Sequence, residues 1–356
     1  MIVVLTHFPS PYQLELFDEI DRQQHGALKV LYLFRRAKHR RWTGSEPAHA
    51  HLYLEDAQAM NAATREVERA DLVVFNYYNN ARAAQLIRSR SKTGRPWCFW
   101  GERPGYRYSL LARVARLGRL AALHDGAQPI WGIGAWAVDA YRSEFGASRP
   151  YLNLPYYSNL ERFQSVHPEF RREHFTFLFS GALTHRKGVD LLARAFMRLA
   201  AEMPLVRLRI MGEGERAAAL KRVLGGHDRV EWVGFKDWAE LPPVYASAQA
   251  LCVPSRHDGW GLVVPEGLAS GLPTIATNRT GAALDLITTR ENGWVIEANN
   301  EEALYHAMRS AASLTERQWC AMSERARASV AHHTLANGAR RFLDGVNAAL
   351  GCEVKR

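Results

Sequence analysis

The chain has 356 residues, 47% of them hydrophobic and 23% charged. That balance excludes collagen-like, fully disordered and disulfide-scaffold classes, and at roughly 100 to 200 residues per domain the length suggests two domains. Lys and Arg exceed Asp and Glu by 46 to 36, a net charge of +10, of which residues 1–160 carry +7 and residues 161–356 carry +3, so an anionic partner is expected to meet the N-terminal half.

The N-terminal MIVVLTHFPSPY has no basic n-region or small-residue cleavage site, and no apolar run approaches the ~20 residues of a membrane span. A cytoplasmic location is expected. IVVL reads as a strand, Pro9 to Pro11 as a turn and LELFDEIDRQ as a helix, the rhythm of a parallel sheet. LKVLYLF (28–34), DLVVFNYY (71–78), PWCFW (96–100) and PIWGIG (129–134) continue it as short apolar runs between polar or Gly/Pro punctuation. These predict a first α/β domain over 1–160. The pattern breaks at PYLNLPYYSNLERFQ (150–164), where a linker is expected. FTFLFSG, VRLRIMGEG, RVEWVGF, ALCVPS, LPTIAT and NGWVIEA then predict a second doubly wound unit over 161–335. A closing helix over 336–356 is expected to pack back toward the first domain. Cys98, Cys252, Cys320 and Cys352 are widely spaced with no CxxC pair, which supports neither a zinc site nor a disulfide framework.

Three segments carry chemistry. In LCVPSRHDGWGLVVPEGLASGLPTIA (251–276), Asp258 and Glu266 flank a glycine turn that leads into a helix, where exposed backbone amides favour phosphate. The two carboxylates read either as acceptors for sugar or ribose hydroxyls or as solvated charges beside a loop. In SGALTHRKGVDLLARAF (180–196), Arg186 and Lys187 follow a strand, where open α/β sheets bind ligands, so they read as diphosphate ligands or as a solvated basic turn. MGEGER (211–216) is a second glycine turn after a strand.

Taken in order, GALTHRKG, MGEGE, VGF (233–235), VPS (253–255), Asp258-x7-Glu266 and EGLASGLPTIAT resemble the C-terminal domain of family 4 retaining glycosyltransferases of the bacterial polysaccharide-assembly type. The resemblance is specific over about 175–300, and THFPSPYQLELFDEI is similar to the first strand and helix of some bacterial members. It implies the GT-B fold, two facing Rossmann-like α/β domains with a C-terminal helical tail. It also implies that Lys187 and Arg186 hold the donor diphosphate, that Gly261, Leu262 and Val263 offer backbone amides, and that Glu266 binds ribose hydroxyls. Asp258 would face the donor sugar near its reacting end, Gly234 and Phe235 would border the base, and Gly212 would let the chain pass close to the nucleotide. Members carry Arg after the strand-ending glycine where this chain has Ala182, and Glu at the position of Asp258. Where members carry a His after an N-domain strand, this chain reads PWCFWGERPGYR. Glu102 stands there, with His7 as a second candidate at the reacting centre.

The resemblance implies metal-independent transfer with retention, with no cofactor and the nucleotide-sugar as a substrate; no Asp-x-Asp pair occurs in the chain. On the acceptor side, YSLLARVARLGRLAAL (108–123) reads as a helix with Arg113, Arg116 and Arg119 off its apolar stripe. RRAKHRRW (35–42) is a second basic cluster. These read either as a peripheral patch on an anionic membrane near a lipid-linked acceptor or as solvated arginines over a core-facing stripe; no nucleic-acid motif accompanies them. The combined expectation is transfer of a sugar, from a UDP-sugar first among donors, to a glycan or lipid-linked glycan in surface polysaccharide assembly. The alternatives are a nucleotide-sugar 2-epimerase and a non-catalytic nucleotide- or sugar-binding partner.

Overall fold

The computed structural model describes residues 1–36, 46–104, 121–124 and 128–351. The chain divides into two compact units, Met1–Asn159 with the segment from Thr334 onward, and Leu160–His333.

Unit 1 is a seven-stranded sheet in the order β3-β2-β1-β4-β5-β6-β7, parallel at every described pairing. β1 (Ile2–Thr6) leads into α1 (Pro11–Gln23), which starts at Ser10 with Pro11 in its first turn, where a missing N–H costs nothing. β2 (Leu28–Tyr32) and β3 (Ala50–Tyr53) follow, then α2 (Ala57–Arg69), β4 (Leu72–Phe75), α3 (Ala81–Lys92) and β5 (Trp97–Gly101). β6 (Ile130–Gly132), α4 (Ala135–Phe145) and β7 (Tyr151–Asn153) complete the series. The central strands are buried along their whole length, as expected of a parallel sheet covered on both faces. The stretch read as a linker thus contains an edge strand, β7, whose three residues between prolines give no periodic signal. β3, with sequence AHLY and partly exposed, is invisible to the apolar-run criterion for the same reason.

Unit 2 repeats the plan in the order β10-β9-β8-β11-β12-β13. β8 (Phe175–Ser180), α5 (Val189–Glu202), β9 (Val206–Met211), α6 (Ala217–Leu224) and β10 (Val230–Gly234) build one side. β11 (Ala250–Val253), α7 (Val263–Ala269), β12 (Thr274–Thr277) and β13 (Gly293–Ile296) build the other, followed by α8 (Glu301–Ala312) and α9 (Glu316–Ser329). Its core gathers Phe177, Phe179, Leu192, Phe196, Ile210 and Met308.

The last helix, α10 (Leu335–Ala349), packs on α1 within unit 1. Two glycines of α10 set its approach to β7 and the residues just after it. A Cβ on Gly338 would lie 2.5 Å from the Tyr157 ring, and one on Gly345 2.8 Å from Leu152. Among the described residues no helix is long and apolar enough to cross a membrane.

In each unit the chain winds outward from one strand and then restarts on its other side. The reversal falls between β1 and β4 in unit 1 and between β8 and β11 in unit 2. In open α/β sheets ligands bind in the crevice outside the carboxyl ends of the strands at such a switch point.

Candidate functional site

At the unit 2 switch point the loops after β8 and β11 meet. Gly181 and Gly212 both adopt positive φ, +147° and +128°, and a Cβ on Gly212 would sit 1.9 Å from the Gly181 carbonyl oxygen. The turns after β8 and β9 therefore run backbone against backbone, with the Leu183 amide donating to Glu213 O at 2.8 Å, while the Gly212 amide donates to Gly234 O, at the end of β10, at 2.8 Å. The chain then makes a single 3-10 turn, His185–Lys187. Gly188, at φ +70°, follows it so closely against β11's end that a Cβ would lie 1.9 Å from Pro254 O.

That approach delivers Lys187 to Asp258. Lys187 Nζ lies 2.5 Å from Asp258 Oδ2, Arg186 Nη1 lies 3.5 Å from Oδ1, and both Lys187 and Asp258 side chains are nearly buried. Burial pushes the Asp258 carboxyl up, but the Lys187 and Arg186 charges outweigh it and hold the group below the ordinary carboxylate range. Arg186 also donates to His257 O at 2.9 Å. Arg256 braces the turn: it makes a bidentate pair with Asp190 at 2.6 and 2.7 Å, donates to His185 O at 2.7 Å, and its amide donates to Arg186 O at 2.8 Å. Burial raises the Asp190 carboxyl, and the Arg256 hydrogen bonds bring it below its usual value. Nothing in the local sequence marks Arg256 as different from a solvated arginine.

Gly261 adopts φ +89°, and a Cβ there would meet Thr280 Cγ2 at 2.7 Å and Asp258 Oδ2 at 3.4 Å. Leu262 is the N-cap of α7 and Val263 its first residue, where the leading amides have no partner within the helix by geometry. Glu266 lies in the same first turn, 3% exposed. The Tyr245 hydroxyl donates to Glu266 Oε2 at 2.8 Å and hydrogen-bonds Ser180 Oγ, at the end of β8, at 3.1 Å. Burial, reinforced by the Glu266 carboxylate, pushes the Tyr245 phenol well above its ordinary value, so it remains a donor. Tyr245 is a partner the sequence reading missed. Gly234, at φ +75° with open space beyond its Cα, closes β10, and Phe235 after it is 38% exposed. The topology therefore gathers Arg186, Lys187, Gly212, Gly234, Phe235, Asp258, Gly261, Leu262, Val263 and Glu266 at one edge of one sheet.

The other candidates belong to unit 1. His7 follows β1 and stacks on Tyr77, with ring centroids 4.5 Å apart and planes 12° from parallel. Glu102 follows β5 with its side chain exposed, and its carbonyl accepts from the Tyr141 hydroxyl at 2.7 Å. β4 lies between β1 and β5, so these residues start from strands about 10 Å apart. Arg113, Arg116 and Arg119 lie outside the described residues, as do 37–42 of the second basic cluster.

Residues 161–328 match the family model described as glycosyl transferases group 1. An uncharacterized glycosyltransferase of Haemophilus influenzae is 35% identical over 133 residues, 37% of this chain and 38% of that protein. A GDP-mannose-dependent alpha-(1-6)-phosphatidylinositol monomannoside mannosyltransferase of Mycolicibacterium smegmatis is 26% identical over 227 residues, 58% of each chain. The chain thus spans less than two thirds of the length of these curated relatives. Among solved structures, HepE of Anabaena in complex with UDP superposes with a TM-score of 0.76 at 13% identity, covering 98% of this chain and 99% of that one. The fold is GT-B, as the sequence resemblance implied.

Proposed function

We propose that this chain is a retaining glycosyltransferase. It transfers a sugar from a nucleotide diphosphate sugar, a UDP-sugar first among candidates, to a glycan or lipid-linked glycan in surface polysaccharide assembly. The observation that carries the reading is the Lys187–Asp258 ion pair, with Arg186 beside it, at the switch point of the unit that matches the group 1 model. Cleavage of the bond between an anomeric carbon and a nucleoside diphosphate leaves negative charge on the β-phosphate. Fixed cations and backbone amides aimed at that charge stabilise the transition state more than the ground state. Lys187 and Arg186 supply the cations, and Gly261, Leu262 and Val263 supply the amides. Asp258, kept ionised by the two cations, accepts hydrogen bonds from donor-sugar hydroxyls, while Glu266, fixed by Tyr245, takes the ribose hydroxyls. Gly212 and the Gly234–Phe235 turn border the nucleotide. No metal or cofactor enters the proposal. Retention follows if the acceptor attacks from the face the phosphate leaves, with that phosphate taking the acceptor's proton.

Relatives and neighbours support both UDP and GDP chemistry, so the base is decided by titration. Calorimetry with UDP, GDP and ADP is expected to show one nucleotide bound selectively and weakened by Lys187→Ala and by Glu266→Ala. Binding that ignores both substitutions, or no binding, overturns the donor site. Donor consumption without acceptor, yielding an epimer, overturns transfer in favour of epimerisation. Glu102 and His7 are the proposed catalytic candidates of unit 1, and single-turnover rates of Glu102→Gln and His7→Ala separate them. Peripheral contact with an anionic membrane through Arg113, Arg116 and Arg119 belongs to the same proposal. Loss of liposome co-sedimentation on neutralising Arg113 and Arg116 supports it, and unchanged co-sedimentation removes it.

A further inference from the structure

The unit 2 switch point holds a third cation beside Arg186 and Lys187. Arg256 stands on the loop after β11, and its side chain is only 17% exposed. A guanidinium has five N–H donors and no acceptor. Nη1 donates to Asp190 Oδ1 at 2.6 Å and to His185 O at 2.7 Å, Nη2 donates to Asp190 Oδ2 at 2.7 Å, and Nε donates to Asn299 Oδ1 at 2.7 Å. Four of the five donors are thereby engaged within unit 2, so Arg256 has no free fork to offer a phosphate.

Those contacts join three loops. Asp190 lies in the first turn of α5, Arg256 follows β11, and Asn299 lies between β13 and α8. Asn299 adopts φ +67°, a left-handed conformation that asparagine tolerates better than most residues. Its neighbour Asn300 caps α8, accepting from the Ala303 amide at 2.9 Å, so the partner of Nε is itself tied to a helix start. What the three loops hold is the pair of carbonyls leading into Lys187: His185 O takes Nη1, and Arg186 O takes the Arg256 amide at 2.8 Å. The 3-10 turn has little hydrogen bonding of its own, the Lys187 amide to Thr184 O and the Gly188 amide to His185 O, each at 3.1 Å, so its placement depends on partners outside it. Arg186 reaches back in return, Nη1 donating to His257 O at 2.9 Å. The loops after β8 and β11 clasp each other, and Lys187 rides on the clasp.

We propose that Arg256 is a positioning residue for the donor diphosphate: its fork on Asp190 and its bond to His185 O fix the basic turn so that Lys187 and Arg186 meet the phosphates, which Arg256 itself does not touch. This rests on the glycosyl-transfer reading of the donor site. Two consequences separate it from a general structural role. Loss of Arg256 weakens a nucleoside diphosphate but not the nucleoside, because the turn it holds carries the cations and not the base contacts. Fork geometry, rather than charge, carries the effect. If Arg256 were only a counter-ion, neutralising Asp190 would remove a negative charge from the site and raise diphosphate affinity; if the fork places the turn, the same substitution lowers it.

The test is calorimetry of the intact chain with UDP, GDP and ADP, beside saturation-transfer NMR with uridine, guanosine and adenosine, at a temperature where circular dichroism shows each variant folded. Diphosphate affinity is expected to fall about tenfold in Arg256→Ala and in Asp190→Asn, the low end of what a hydrogen bond to a charged group contributes, with nucleoside binding unchanged. Arg256→Lys, which keeps the charge and lacks the fork, should lose nearly as much. In a Lys187→Ala background, Arg256→Ala should cost about twofold or less, since the main group it positions is gone. If Arg256→Ala does not fold, Asp190→Asn decides by the same readouts, and where no nucleoside saturates, the coupling to Lys187 decides. Unchanged diphosphate affinity in Arg256→Ala, equal losses for diphosphate and nucleoside, additive losses with Lys187→Ala, or a gain in Asp190→Asn would each overturn the inference while leaving the donor site standing. Diphosphate binding that ignores Lys187→Ala, or no diphosphate binding, overturns the donor site itself and the inference with it.

Discussion

Lys187 and Asp258 are 71 residues apart in the chain, and their side chains meet at 2.5 Å because β8 and β11 are neighbours across the unit 2 switch point. The pair is nearly dehydrated, so removing one partner leaves an uncompensated buried charge. Asp258→Asn is expected to destabilise unit 2 by about 3 kcal/mol, whereas the double substitution Lys187→Met with Asp258→Leu should cost less than the sum of its singles. Urea unfolding of the four proteins measures this, and strict additivity would show the pair to be energetically idle.

The same pair predicts an acid limb. The folded Asp258 carboxyl titrates below its ordinary range, so its stabilisation is complete above the unfolded value of about 3.9 and is lost as pH falls through the folded value. The stability gap between the native chain and Asp258→Asn should shrink steadily below about pH 4. A gap that stays constant down to acid unfolding contradicts the assignment.

The glycines at the candidate site predict a ranking. Gly234 has positive φ but open space where an added methyl would sit, whereas at Gly188 a Cβ would lie 1.9 Å from Pro254 O. Gly234→Ala should therefore cost only local backbone strain, about 1 kcal/mol. Gly188→Ala must push the basic turn away from β11 and should weaken nucleotide binding much more. Calorimetric affinities in the reverse order would show that the turn's approach to β11 does not position Lys187.

Much of this arrangement is legible in the sequence. β1, β4, β8 and β11 announce themselves as short apolar runs, and the resemblance to a known family assigns Lys187, Asp258 and Gly261 to one site; the strand order that carries the loops after β8 and β11 to the same sheet edge is read from the structure. The supports are not legible, since each acts through a contact distant in sequence. Tyr245 sits in LPPVYA with no motif and reaches Glu266 only because the Leu241–Ala246 helix lies over α7's first turn. Arg90, in ARAAQLIRSRSK, looks like any solvated helix cation, yet it is fully buried.

Arg90 supports a prediction of its own. Its guanidinium donates to the carbonyls of Val67, Ala70, Asp71 and Pro96 at 2.7 to 3.0 Å, tying the end of α2 to the start of β5. Burial pulls its pKa down to about 10, which leaves it charged at neutral pH. Arg90→Met strands those carbonyls and should cost unit 1 about 3 kcal/mol or more. Faster amide exchange around α2 and β5, with UDP affinity unchanged, is the expected signature. Equal losses in both units would mean that Arg90 acts on more than this junction.

His49 predicts a second pH limb, near neutrality. Its ring is buried, with Nδ1 2.6 Å from Asp18 Oδ1 and Nε2 2.9 Å from the Tyr32 hydroxyl. Burial lowers its pKa below the ordinary histidine value even though Asp18 pulls the other way. The unfolded chain therefore takes up a proton near pH 6.5 that the folded chain refuses until lower pH, so folding stability falls as pH drops below about 6.5. Denaturant unfolding at pH 7.5 and 5.5 should show the native chain weaker at the acid value, and His49→Gln should remove most of that difference. The sign discriminates between the two opposing influences on the ring. If Asp18 outweighed burial, the folded pKa would be raised and the native chain would instead gain stability between pH 7.5 and 5.5, and Asp18→Asn would abolish the gain.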